Sequence, residues 1–172
     1  MNEHAVMTLL GIGSVATAIS GFSGVVAAFS GRADGKWLPA ERFRITNMLI
    51  LSLGACLLSF VPLTEELLRI PDQVLWISAS LSLFAFCSFY YIRTIILLRR
   101  PSLSRRGVLV EWVRVVYFVC LTLAIVLQVL NVAGVLVERG PGPFIAGLVF
   151  MLIPAGLMFV FLVLTPLSSV DL

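Results

Sequence analysis

YIRTIILLRRPSLSRRGVLVEWVR, residues 91–114, is the stretch on which the fold turns. It carries Arg93, Arg99, Arg100, Arg105, Arg106 and Arg114 against a single acid, Glu111, and it separates two long apolar runs. Basic residues that join apolar runs are retained on the cytoplasmic side of a membrane. The segment is therefore an inside loop with its juxtamembrane ends, and every other segment takes its side from it.

The surroundings support that reading. Of 172 residues, 60% are hydrophobic and only 12% charged, with a mean hydropathy of +1.08, which lies outside the range of soluble domains. Nearly all of the length goes into membrane spans and short connections, so residues 1–172 form a single transmembrane helical domain. The net charge of +3 comes from loops without interleaved aromatics, which points to topology and anionic headgroups and excludes nucleic acid as a partner.

Outward from the basic segment, the third span covers about 74–98, with Trp76 as its outer anchor, and the fourth about 115–137. ERGPGP, residues 138–143, is a turn that leads to the fifth span, about 144–167. On the other side, the acidic TEELLRIPDQ, residues 64–73, reads as an external loop after a second span of about 45–63 that ends near Pro62. GRADGKWLPAERFR, residues 31–44, brings Arg32, Lys36, Arg42 and Arg44 to the inside, with Trp37 suited to the headgroups and Pro39 placed to begin a helix. The first span, about 5–29, follows an n-region with no Lys or Arg and is too long for a signal peptide, so it reads as a retained helix.

The expected fold is all-α, a bundle of five transmembrane helices with the N-terminus outside and the C-terminus inside. Ten of the twelve basic residues then lie inside, leaving Arg69 and Arg139 outside. A weak repeat of two helical hairpins is also visible. ERFR, residues 41–44, precedes the second span as EWVR, residues 111–114, precedes the fourth, and Leu51-Ser52-Leu53 answers to Leu121-Thr122-Leu123.

Several positions inside the spans stand out. Gly13, Thr17, Gly21, Gly24 and Ala28 recur at helical intervals and predict the close approach of another helix, within the subunit or between subunits. Arg93 lies about five residues inside the end of the third span. It either snorkels to the headgroups, pairs with Glu111 or lines an anion-attracting inner vestibule. Gln128 and Asn131, three apart on the fourth span, are expected to hydrogen-bond another helix or to line a pore or ligand site. Pro154 with Gly156 marks a candidate kink in the fifth span.

Bond chemistry has little to work with. Cys56, Cys87 and Cys120 lack CxxC spacing and lie in apolar runs, and His4 is the sole histidine. No HExxH, GxSxG or intramembrane carboxylate pair is present, so neither a metal, a cofactor nor a catalytic residue is expected. RRPSLSRR, residues 99–106, reads as a phosphorylation site at Ser102 and Ser104 or as a charged turn.

GFSGVVAAFSGR, ERFR, FVPL, the span beginning at Trp76, and LQVLNVAGV followed by GPGPFIAGL together resemble a family of small uncharacterised bacterial integral membrane proteins. The resemblance covers most of the chain and implies a multi-pass protein of the bacterial inner membrane, with no activity transferred to any residue. The functional expectation is a small homo-oligomeric ion channel or pore, because one subunit has too few polar intramembrane groups to line a path alone. The alternative is a non-catalytic scaffold or accessory subunit of a larger membrane or defence complex. In either case the partners are the lipid bilayer and further copies or another membrane protein.

Overall fold

A computed structural model describes residues 2–30, 39–98, 108–135 and 139–164, with residues 27, 29–30, 39–42, 108–111 and 162–164 described by backbone alone. Five helices follow in order: α1 Glu3–Ser30, α2 Pro39–Leu67, α3 Asp72–Leu98, α4 Val108–Ala133 and α5 Pro141–Leu164. Each contains a stretch long and apolar enough to cross a membrane, so the all-α polytopic fold expected from the sequence is the one observed. Arg32, Lys36, the aromatic anchor Trp37 and the basic segment 99–106 lie outside the described residues, as does the side chain of Glu111.

The helix ends differ from expectation where local backbone chemistry takes over from hydropathy. Instead of stopping near Pro62, α2 continues to Leu67. Proline removes one backbone donor without preventing a helix from resuming, and the residues that follow, TEEL, include good helix formers. The helix is closed instead at Arg69, which adopts a left-handed φ of 57°, while the Ile70 amide returns to the Glu65 carbonyl at 3.2 Å. Likewise α4 stops at Ala133, ahead of Gly134 with φ 65°, whose amide bonds the Leu130 carbonyl at 2.9 Å. At the start of the chain, Asn2 Oδ1 accepts from the Ala5 amide at 2.8 Å and caps α1.

α2, α3, α4 and α5 form a ring of neighbours, and α1 lies outside it against α2 and α5, reaching neither α3 nor α4 among the described residues. Lipid provides no hydrophobic drive between helices, so close packing has to hold them. The approach of α3 to α2 depends on Gly54, because a Cβ there would enter the ring of Phe86. Leu51, Ala55, Leu83, Leu121, Leu148 and Met151 fill the middle of the ring and are fully buried. Outward positions such as Leu57, Phe89 and Trp112 are exposed apolar residues suited to lipid.

The bundle therefore has two distinct ends. At one, the hairpin end, lie the α2–α3 turn and Gly134 and Gly140 from the α4–α5 connection, and there Ser78 Oγ donates to Glu65 Oε2 at 2.7 Å, tying α3 to α2. The other, the basic end, holds Arg44, Arg93 and Arg114.

Candidate functional site

Both ends contain buried polar groups, and the apolar filling of the ring separates them. At the basic end the inward stripe of α3, which begins with Leu75, Ala79 and Leu83, continues at the same spacing into Cys87, Tyr90 and Thr94. That register carries a phenol and a hydroxyl into the bundle. The Tyr90 hydroxyl donates to Asn47 Oδ1 on α2, and Thr94 Oγ1 shares a 2.9 Å hydrogen bond with the Tyr117 hydroxyl on α4. Tyr90 and Tyr117 are tilted against each other with ring centroids 6.4 Å apart. Three helices are thus joined at one depth.

Arg93, half-buried, lies over the Tyr90 ring with its guanidinium carbon 5.5 Å from the centroid. This is a cation–π contact, which the list of partners drawn from the sequence omits. Arg93 Nη1 and Asn47 Nδ2 are both buried without a hydrogen-bond partner. A buried donor left unpaired costs about 1 to 3 kcal/mol, more when it is charged. Asn47, Tyr90, Thr94 and Tyr117 were not singled out from the sequence. The signal available was that each of the three helices pairs a polar residue with an arginine three positions further toward the basic end: Asn47 with Arg44, Tyr90 with Arg93, Tyr117 with Arg114.

At the hairpin end the structure brings Gln128 and Asn131 together and directs both amides at neighbouring elements. Asn131 Nδ2 donates to Ser80 Oγ at 2.8 Å and to the Gly140 carbonyl at 3.2 Å, and its Oδ1 accepts from the Gly140 amide at 3.1 Å. One side chain joins α3, α4 and the turn before α5. Gln128 Nε2 donates to the Pro143 carbonyl at 3.0 Å, in space that exists because residue 147 is glycine, where a Cβ would meet both that nitrogen and Leu83. Its Oε1 is buried and unpaired. Of the two expectations for these amides, helix-to-helix hydrogen bonding describes this geometry.

The small-residue stripe of α1 is divided. Gly13 packs against α2, where a Cβ would lie 2.9 Å from Ser59 Oγ, and Thr17 Oγ1 sits 3.3 Å from Cys56 Sγ. Gly21 and Gly24 are exposed, with open space where a side chain would begin. The stripe therefore meets α2 at Gly13 and lies on the outside of the subunit at Gly21 and Gly24. Pro154 is buried in α5, which continues through it as one helix, and a Cβ added at Gly156 would meet nothing within 4 Å.

Cys56, Cys87 and Cys120 are free thiols, and the described residues hold no group of three His, Cys, Asp or Glu side chains placed for a metal. Comparison of the chain with family models, with curated proteins and with solved structures gave no match.

Proposed function

We propose that this small integral membrane protein is non-catalytic and acts as a homo-oligomer, its copies joined through α1 and surrounding an ion path. One contrast carries the reading: the ring interior is closed by apolar side chains, while the far side of α1 is uncovered. Gly11, Ser14, Ala18, Gly21, Val25 and Ala28 all face outward on it. They alternate by three and four residues, the spacing of a left-handed helix pair, and the small side chains let two backbones approach. A second copy is the occupant because it presents the same spacing of small residues on the same uncovered face. A path for ions then runs between subunits, and the arginines at the basic end, repeated around the axis, favour anions.

The hydroxyls of this helix favour a second reading. Ser14 Oγ returns to the Leu10 carbonyl at 2.9 Å, Thr17 Oγ1 to Gly13 at 2.8 Å and Ser20 Oγ to Thr17 at 3.0 Å, which suits a dry packing face better than a wet wall. In that case the oligomer is a scaffold, or α1 docks onto a different membrane protein as an accessory subunit. Native mass measurement of the purified protein, followed by reconstitution into bilayers under a salt gradient, separates these. A conducting oligomer whose reversal potential shifts toward cations in Arg93→Gln is the expected result. An oligomer that does not conduct leaves the scaffold, and a monomer overturns self-association.

A further inference from the structure

The two unpaired nitrogens at the basic end flank one phenol. Asn47, 1% exposed, gives its Oδ1 to the Tyr90 hydroxyl and keeps Nδ2 unused, while Arg93 lies over the ring of the same tyrosine with Nη1 unused. Both groups are hydrogen-bond donors, and one carries a charge. The Tyr90 hydroxyl donates to Asn47 and also meets the Arg93 guanidinium, and Thr94 bonds Tyr117, yet Asn47 Nδ2 and Arg93 Nη1 themselves stay unpaired. What these two donors lack is a negatively charged group with more than one acceptor oxygen.

The geometry points to a binding site for a phosphoryl oxyanion between α2 and α3 at the basic end, received by Asn47 Nδ2 and Arg93 Nη1. Guanidinium is suited to this because its planar fork meets two oxygens of one phosphoryl group. Arg44 and Arg114 lie three residues, about 4.5 Å of helix rise, beyond Asn47 and Tyr117 toward the same end, so the field there is positive. Arg93 is also the link to the surroundings. It is only half-buried, and Phe89, Ile92 and Ile96 beside it on α3 are exposed, so the site borders the lipid-facing side of α3 near the basic end. The phosphoryl group can therefore belong to a phospholipid headgroup or to a soluble phosphate. The site does not depend on the oligomer conducting ions.

The test uses the full-length protein in a neutral, phosphate-free detergent, with thermal unfolding followed by tryptophan fluorescence. Three probes are titrated: dioleoyl phosphatidylglycerol, inorganic phosphate and, as a lipid without phosphate, dioleoylglycerol. Asn47→Asp preserves the acceptor for Tyr90 and replaces the unused donor with an acceptor. Arg93→Gln removes the charge, and Arg93→Lys returns it without the fork. Arg69→Gln, at the opposite end, is the control.

The expected result is stabilisation by phosphatidylglycerol that weakens at least about tenfold in Asn47→Asp and in Arg93→Gln, partly recovers in Arg93→Lys and is unchanged in Arg69→Gln. Stabilisation by the lipid alone identifies the headgroup as the source, and stabilisation by inorganic phosphate with the same variant pattern identifies a soluble one. Equal stabilisation by dioleoylglycerol, equal responses of wild type and Asn47→Asp, or no response to either phosphoryl probe overturns the site. Native mass spectra of the same samples, counting bound lipid, keep the test decisive for any variant that unfolds early.

Discussion

Gln128 and Asn131 have similar side chains, lie three residues apart on one helix and are buried to the same degree, yet the structure predicts opposite costs for removing them. Asn131→Leu loses two donations from Nδ2, to Ser80 Oγ and the Gly140 carbonyl, and deprives the Gly140 amide of its acceptor. At about 0.6 kcal/mol for an average interhelical hydrogen bond in lipid, the two donations amount to about 1 kcal/mol. The stranded Gly140 N–H adds about 1 to 3 kcal/mol, so the total is about 2 to 4 kcal/mol. Gln128→Met, of nearly the same shape, loses one donation to Pro143, about 0.6 kcal/mol, and also removes the buried unpaired Oε1, whose desolvation costs about 1 to 3 kcal/mol. It should be neutral or stabilising. Equilibrium unfolding in mixed micelles, followed by tryptophan fluorescence, measures both. An Asn131→Leu protein within about 0.5 kcal/mol of wild type, or a Gln128→Met protein as weakened as Asn131→Leu, would refute the assignment of these amides to the hairpin clamp.

Gly13→Leu should destabilise the subunit by about 1 to 3 kcal/mol, because its side chain has to displace Ser59 on α2, whereas Gly21→Leu should leave unfolding unchanged and reduce the oligomer mass in detergent. If Gly21→Leu keeps the wild-type mass, the outward face of α1 is a lipid face. Tyr90→Phe should cost about 1 to 3 kcal/mol, since Asn47 then has no partner for its carbonyl as well as its amide, and an unchanged unfolding curve would count against the Asn47 contact. For topology, a membrane-impermeant thiol reagent applied to sealed cells should label Thr64→Cys and Gly140→Cys but not Ser102→Cys, and the reverse pattern would invert the orientation.

Span number and helical class were legible in the sequence because hydropathy and length are local properties: a run of about 20 apolar residues has one stable form in lipid, whatever it packs against. The positions of Arg93, Gln128, Asn131 and the glycines were legible for the same reason, as exceptions within such runs. Their roles were not, because a role depends on what lies across the gap between helices. Gly13 and Gly21 are indistinguishable as letters, and only the course of α1 along α2 buries one and leaves the other open. Tyr90 near a span end reads as an interfacial aromatic, and only the rotation of α3 turns its hydroxyl onto Asn47, 43 residues earlier in the chain. Helix ends were set by short-range backbone geometry, at Arg69 and Gly134, which hydropathy averages away. The two unpaired donors beside Tyr90 belong to different helices, so no reading of α3 alone could have placed Asn47 at the phenol that Arg93 covers; packing α2 against α3 did.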